Sequence, residues 1–216
     1  MNKREHAVMK WATAVSALAL NAALLSTNAM AQTAHIQADV QPHGNPVSSF
    51  ETTYTPENSN YFYVSELRQL AADKDAVSAL WLTLGTGNTP YALIIVSTTM
   101  LNEPLKVGHY ENVQRGPFEE AGHAGFYVGY QGSGNNEMWG SFDILDISFL
   151  PDGKLGALSM TFDMAGSSSY GVDVSTWDTV KGSFSYQAAG VVPEPGAAAL
   201  FGFGALMLGF AVRRKP

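Results

Sequence analysis

Residues 140–164 read GSFDILDISFLPDGKLGALSMTFDM, and no other part of the chain specifies a β-hairpin so clearly. Between two runs rich in apolar residues stands Pro151-Asp152-Gly153-Lys154, a turn signature whose proline and glycine are placed to reverse the chain. In the second run every other residue is large and apolar: Leu158, Met160, Phe162 and Met164. This period of two predicts a strand with one buried face.

The first run of this hairpin changes phase along its length. Phe142 and Ile144 have one parity, whereas Ile147 and Phe149 have the other. Because successive side chains of a strand point to opposite faces, both pairs can be buried only if an extra residue lies between them. The sequence therefore predicts a β-bulge near Leu145-Asp146.

The rest of the exported part reads mainly as short strands separated by Gly-rich turns. Six further strands are expected, at 47–54, 61–64, 76–84, 91–99, 126–130 and 182–188. One short helix is expected over Glu66–Ala72, because Ser65 stands at an N-cap position and apolar residues follow at helical spacing. About eight strands with one small helix indicate an all-β fold, an antiparallel β-sandwich or barrel.

The chain begins with the features of an export signal, for which we expect a helix. Lys3, Arg4 and Lys10 precede an apolar run, and Ala29-Met30-Ala31 is a small-x-small cleavage site. Residues 1–31 are thus predicted to be a signal peptide, with Gln32 first in the mature chain. Residues 32–60 are polar and rich in proline and glycine, and we interpret them as an extended leader. Residues 61–190 are the predicted β-sandwich domain.

The exported part is strongly acidic and has no cysteine. Six of the twelve Lys and Arg residues fall in the two terminal signals, but only two of the nineteen Asp and Glu residues do, which leaves a net charge of −11. A surface of that charge repels phosphate backbones, so nucleic acid is not an expected partner. Without disulfides, stability outside the cell must come from the core or from bound ions.

The last 26 residues, 191–216, contain three features in a fixed order. Pro193-Glu194-Pro195 is followed by an uncharged apolar run at 196–212 and then by Arg213, Arg214 and Lys215. Seventeen residues at about 1.5 Å each give a transmembrane helix of roughly 25 Å, enough for a thin bilayer. The basic residues act as a membrane stop and should stay cytoplasmic, which places the preceding domain outside. A plain tail anchor is the alternative interpretation.

A Pro-Glu-Pro motif, a short apolar helix and an Arg-rich end in this order resemble the PEP-CTERM sorting signal of bacterial exported proteins. The resemblance implies that an exosortase-type processing enzyme, an integral-membrane cysteine transpeptidase, cuts near the motif. The membrane is then at least a transient partner, and the precursor passes from the inner membrane to the cell surface or beyond. The resemblance further implies a Gram-negative source and an association with biofilm or extracellular polysaccharide.

Residues 105–188 also resemble a set of small β-rich domains that are common in PEP-CTERM proteins. The matching features are Gly108-x-Tyr110-x-Asn112, Arg115-x-Pro117-Phe118, Gly140-Ser141-Phe142 and Phe162-Asp163. In those relatives the turn before Gly-x-Phe often carries a cysteine paired with a later one, whereas this chain has none. The resemblance implies a β-rich fold and no assigned activity.

The sequence gives no motif for catalysis, a cofactor or a metal. It has no Gly-x-Ser-x-Gly, and Gly85-Thr86-Gly87 and Gly132-Ser133-Gly134 lack the third glycine and the helix of phosphate loops. His109, Glu111, Glu119, Glu120 and His123 cluster in a loop-rich stretch, which we interpret as a solvated surface. The expectation is a protein that is not an enzyme and has no cofactor.

Aromatic residues are the remaining candidates for ligand contact. Trp177, Trp139, Tyr127 and Tyr130 could form a sugar-stacking platform, although a domain of this size buries most of its rings. Only Trp177, which is flanked by polar residues, is expected to be exposed.

Three functions remain open at this point. The first is a structural or interaction protein of the surface or matrix, the second a glycan-binding module, and the third a secreted hydrolase. Exposed coplanar aromatics would favour the second, and two carboxylates facing each other across a pocket would favour the third.

Overall fold

The computed structural model describes residues 31–190, which form one all-β domain. Its ten strands are β1 Thr33–Gln41, β2 Ser48–Tyr54, β3 Ser59–Leu67, β4 Ala79–Gly87, β5 Thr89–Ser97, β6 Gly108–Arg115, β7 Gly125–Tyr130, β8 Glu137–Phe149, β9 Leu155–Ser167 and β10 Asp178–Gln187. Single 3-10 turns occur at Thr99–Leu101 and Val174–Thr176, and these 160 residues contain no α-helix. Within the same residues, no helix is long and apolar enough to cross a bilayer.

The strands form a single sheet that nearly closes on itself. Their order is β2-β1-β10-β9-β8-β6-β7-β5-β4-β3, and every ladder is antiparallel except the short one between β6 and β7. The two edge strands, β2 and β3, are joined by only four residues, 55–58, so the edges must approach each other. Contacts across the interior agree, because the Phe62 ring of β3 lies 6.4 Å from Tyr186 of β10.

The β8–β9 hairpin has the structure that its sequence predicts. Leu158, Met160, Phe162 and Met164 are all buried, and the bulge falls where the parity changes, between Ile144 and Asp146. The Phe162 ring lies 5.0 Å from that of Phe126 on β7, which is itself 5.8 Å from Phe142 on β8. These three rings form the centre of the hydrophobic core.

The predicted helix over Glu66–Ala72 is wrong. Glu66 and Leu67 continue β3 and pair with Leu80 and Ala79 of β4. The Glu66 carboxylate also accepts a hydrogen bond of 2.7 Å from the backbone N–H of Leu155. A seven-residue helix is marginal by itself, so ladder and interior contacts together outweigh its local propensity.

The extended leader over residues 32–60 is also wrong as a separate segment. The strand expected near 47–54 is present as β2, but residues 33–41 form β1, which lies inside the sheet between β2 and β10. Ala34, Ile36 and Ala38 are fully buried in the common core. The domain therefore begins at Thr33 and not at Tyr61.

The chain enters and leaves the sheet at the same end. Thr33 pairs with Gln187, the Gln32 side chain donates to the Tyr186 hydroxyl at 2.8 Å, and Ala188 N–H bonds the Gly156 carbonyl. We call this the terminal end; it includes the β8–β9 turn at 150–154. The opposite, distal end holds the end of β1, the starts of β8 and β10 and the end of β9. The thirteen residues of β9 span about 40 Å between the two ends.

Candidate functional site

A groove of about 650 Å³ opens at the distal end of the sheet. Its floor and walls come from the end of β6, the start of β8 and the loops at 116–124 and 168–177. Four apolar side chains at its rim are exposed: Phe118 (68%), Trp139 (44%), Tyr170 (70%) and Val174 (70%). Large apolar side chains gathered around a concavity are typical of a binding surface, whereas single exposed ones are ordinary.

Trp139 lies on the outer face of β8 and is oriented by a histidine. The His123 ring meets the indole edge-on at a centroid distance of 5.5 Å. His123 Nδ1 lies 2.7 Å from the Asn112 carbonyl, which can only accept, so Nδ1 carries the proton. Asn112 has φ of 54° inside the β6 bulge between Tyr110 and Val113. The bulge thus directs a carbonyl at His123, and His123 fixes the ring of Trp139.

The loop that carries Tyr170 is tied to β8 and to the segment before it. Asn136 donates its side-chain N–H to the Ser168 carbonyl at 2.6 Å, and a Glu137 carboxylate oxygen accepts from Gly171 N–H at 3.1 Å. Farther along, the Asp173 carboxylate accepts from Ser175 N–H, which lowers the pKa of Asp173. These bonds give the loop a defined path along the groove.

Arg115, at the end of β6, brings a cation to the groove. Its guanidinium lies 4.6 Å from the centroid of the Phe118 ring and 5.4 Å from that of Tyr127, a cation–π arrangement on both. Its Nε is buried and has no hydrogen-bond partner within residues 31–190. Beside it, the side-chain oxygen of Gln114 accepts from Glu120 N–H at 2.7 Å. An unpaired buried donor is costly, and the cation–π contacts are the interactions that hold the guanidinium in place.

The structure reverses the expected exposure of the two candidate tryptophans. Trp177 is only 9% exposed at the base of the groove, where its indole N–H bonds the Val172 carbonyl at 3.3 Å. Trp139, expected in the core, faces outward because its parity is opposite to that of the buried Phe142. Local polarity around Trp177 was therefore a weaker signal than strand parity around Trp139.

The other two candidates lie apart from the groove lining. Tyr127 is half-buried beneath the Arg115 guanidinium. Tyr130 stacks on Phe50 with a centroid distance of 3.8 Å, and its hydroxyl lies 3.1 Å from that of Thr52. The four predicted aromatics do not form one platform: two line the groove, one supports its arginine and one packs between β7 and β2.

Sequence reasoning missed Phe118 and Tyr170, the two most exposed rings of the groove. Both stand in loops, where no periodicity predicts which way a ring faces. It also missed an exposed aromatic set on the outer face of β3 and β4, formed by Tyr61, Tyr63 and Trp81. Alternation would have found that set, since its members fall between inward-facing residues of their strands.

The His/Glu cluster of the sequence is dispersed in the structure. His109 contacts Asp143 (Nδ1 to Oδ1, 2.7 Å) and Glu111 (Nε2 to Oε1, 3.3 Å), and the hydrogen bond to Asp143 is the main cause that raises the pKa of His109. His123 supports Trp139, and Glu119 is buried against Gly125. Across residues 31–190, no three His, Asp or Glu side chains gather as a metal site.

Several predicted residues lie outside the described part of the chain. They are Ala29 of the signal cleavage site, Pro193-Glu194-Pro195, the apolar run at 196–212 and the basic residues at 213–215; Ala31 is the first described residue. The expected signal and transmembrane helices likewise fall outside it.

Comparison with known families identifies the tail. Residues 191–215 match the family model of the PEP-CTERM protein-sorting motif, in agreement with the resemblance noted in the sequence. No curated protein and no solved structure matches the chain. The chain therefore carries the sorting motif of an exported protein that passes through the membrane and is targeted by an exosortase-type enzyme.

Proposed function

We propose that this protein is a non-enzymatic component of the cell surface or extracellular matrix. The observation that carries the proposal is the sorting motif, which directly follows a folded domain: β10 ends at Gln187 and the match begins at 191. The domain is the cargo, and the tail delivers it. Association with extracellular polysaccharide or biofilm is part of this proposal.

The position of the chain ends supports delivery of a folded cargo. The expected new N-terminus, Gln32, and the last paired residue, Ala188, lie side by side at the terminal end. Cleavage after Ala31 and near Val192 would therefore remove segments from one end of the domain only. The sheet, its core and the distal groove would remain intact.

The groove chemistry supports a binding role over hydrolysis. Two carboxylates, Glu120 and Glu137, line it, which is the feature that would favour a hydrolase. One of them, Glu137, already accepts a backbone hydrogen bond that holds the Tyr170 loop. A carboxylate with that duty is better suited to positioning than to proton transfer. We therefore expect the protein to release no reducing ends from polysaccharides; release that Glu137→Gln abolished would contradict the proposal.

The sorting role is tested with Pro193→Ala and Pro195→Ala combined. Apolar length and the basic stop are unchanged, so membrane insertion should be normal, but alanines let a helix continue upstream through the motif. We expect this variant to accumulate at precursor length in the inner membrane. The parent should lose the 24 residues that follow Val192 and reach the exterior.

The readout is a fractionation blot with an epitope inserted after Gly44. That exposed turn has open space around it, whereas residues 33–41 belong to β1 and cannot carry a tag. The matched control is Pro56→Ala with Pro151→Ala, two exposed prolines outside the motif. Equal size and location of parent and Pro193/Pro195 variant would show that the tail is only an anchor.

A further inference from the structure

We propose that the distal groove is a binding site for a neutral polysaccharide, with Trp139 and Tyr170 stacking on sugar rings and Arg115 donating to their hydroxyls. This inference rests on the proposed function in one respect, namely that the domain is displayed outside the cell. The groove itself is a property of residues 31–190 and is argued from them.

The size of the groove favours a chain of small rings over a protein partner. Its volume of about 650 Å³ falls inside the range of small-molecule sites, about 300–1,000 Å³. A protein interface would instead need a broad surface of about 800 Å² on each partner. The exposed rings of Phe118, Trp139 and Tyr170 stand at the rim of a concavity and do not form such a flat surface.

The chemistry of the lining matches that of a sugar. Pyranose rings present apolar C–H faces and a periphery of hydroxyls, each of which both donates and accepts hydrogen bonds. Trp139 and Tyr170 offer exposed ring faces, and the groove adds donors and acceptors: the guanidinium of Arg115, the amide of Asn136 and the carboxylate of Glu120.

Charge selects a neutral chain over an anionic one. The groove brings two carboxylates, Glu120 and Glu137, against one cation, Arg115. The exported part as a whole has a net charge of −11. A polyuronate or a nucleic acid would meet repulsion on approach and inside the groove, whereas an uncharged polysaccharide would not.

The position of the groove also favours an external ligand. It lies at the distal end, about 30 Å along β9 from the level at which the chain leaves the domain, since Gln187 pairs with Ala157 whereas Glu137 pairs with Ser167. The segment that follows Ala188 therefore starts away from the groove and leaves it open to a chain of the surrounding matrix.

The experiment is native affinity electrophoresis of the full-length protein in a non-ionic polyoxyethylene detergent. The gels contain hydroxyethylcellulose, galactomannan or dextran as neutral probes, or alginate as an anionic one. We expect at least one neutral polymer to retard the protein and alginate not to. Trp139→Ala and Tyr170→Ala should each weaken retardation about tenfold, the usual effect of truncating an aromatic anchor.

The matched control is Tyr63→Ala, which removes a 59% exposed ring from the outer face of β3, away from the groove. Its affinity should equal that of the parent. Arg115→Lys keeps the charge and loses the planar donor fork, and its affinity should fall while the circular dichroism spectrum stays unchanged. Retardation by no neutral polymer, retardation by alginate alone, or a loss in Tyr63→Ala without one in Trp139→Ala would overturn the proposal.

The experiments distinguish a failure of the groove proposal from a failure of the sorting proposal. The groove variants should be shortened and exported like the parent on the fractionation blot, because the groove lies far from the processed ends. Normal export of the protein, with no retardation by any neutral polymer, would contradict the groove proposal alone. Retardation by a neutral polymer with no shortening of the parent removes the sorting proposal alone.

Discussion

The two ends of the sheet are built in different ways. At the terminal end, backbone ladders and part-buried or exposed polar contacts join the segments: Gln32 bonds Tyr186, Glu66 bonds Leu155 N–H, and Arg68 donates to the Gly153 carbonyl at 2.6 Å. At the distal end the wall is made of loops, with exposed rings and a guanidinium Nε that has no acceptor. The same sheet supports both ends.

This difference fits a stabilising role for the terminal end and a binding role for the distal end. We expect the terminal end to tolerate removal of the flanking segments, since the ladder between β1 and β10 closes it from within. The distal end has an unpaired polar group and exposed apolar side chains. Folding normally pairs such polar groups and buries such apolar surface, and exposed apolar patches are typical of ligand-binding sites. Rigid strands with functional loops at one end are a common arrangement for binding domains.

The largest expected effect comes from making the same substitution in the hydrophobic core of the sheet and at the rim of the groove. Phe162 is 4% exposed and packs on Phe126, whereas Phe118 stands in solvent beside Arg115. Phe162→Ala should lower the free energy of unfolding by roughly 3 to 5 kcal/mol, because it leaves a cavity in the core. Phe118→Ala should change it by less than about 0.5 kcal/mol. Urea unfolding of the chain from Gln32 to Ala189 measures both.

That chain should also be soluble and monomeric, with a circular dichroism spectrum dominated by strand. Equal losses of stability in the two phenylalanine variants would mean that the 116–124 loop belongs to the core. The core of the sheet and the rim of the groove would then not differ in their contribution to stability.

A second test compares tyrosines at the two ends. Tyr54, paired with Ala34 near the terminal end, is fully buried, and its hydroxyl makes no hydrogen bond of good geometry within residues 31–190. Burial first, and then the neighbouring Tyr130, raises the pKa of Tyr54 far above its ordinary value. Tyr170, at the groove, is exposed.

The sign of the pH effect follows from that raised pKa. Below pH 10 the phenol is protonated in both states; above it the unfolded chain ionises first, so stability falls as pH rises. Tyr54→Phe should reduce this alkaline loss and leave stability at pH 7 within about 1 kcal/mol of the parent or above it, since it removes an unsatisfied polar group. Tyr170→Phe should leave the alkaline profile unchanged. Guanidinium unfolding between pH 7 and pH 11 measures these profiles, and a loss of stability in Tyr54→Phe at pH 7 would contradict the prediction.

How far the fold could be predicted depends on whether a signal was local. The β8–β9 hairpin and its bulge were predictable because parity is written in adjacent residues, and parity decides burial. Strand β1 has the same alternation, Ala34, Ile36, Ala38 and Val40, but the polar residues of this stretch and the prolines and glycine after it suggested a leader. The helix at 66–72 failed because partners on β4 and β9 override a short local propensity.

The groove was less predictable than the fold. Its rings come from a strand face and two loops that are distant in sequence, and the pairing of β6, β8 and β9 as neighbours in the sheet brings them together. Trp139 could have been assigned outward from the parity of Phe142. Nothing local could have paired it with Tyr170, because that neighbourhood depends on the bonds of Asn136 and Glu137 to the loop.

The smallest expected effect concerns the outer face of β6 and β8, between the two ends of the sheet. His109 on β6 is exposed and lies between Asp143 and Glu111, and its pKa is raised mainly by the Asp143 hydrogen bond. A raised histidine pKa contributes stability that is full below the unfolded pKa and is lost as pH rises through the folded pKa. Solvent screens this exposed pair, so it should stabilise neither end appreciably.

The titration itself should still be measurable, and its partners can be ranked. Asp143→Asn should lower the pKa of His109 toward its ordinary value, and Glu111→Gln should lower it less, because the Asp143 contact is 2.7 Å and the Glu111 contact 3.3 Å. The Cε1 proton shift in an NMR titration from pH 5 to pH 9 reports both. If Glu111→Gln lowered the pKa and Asp143→Asn did not, the β6–β8 register that places His109 opposite Asp143 would be in error. Since Trp139 is placed by the same ladder, through its pairing with Gln114, this measurement also checks the wall on which the groove is built.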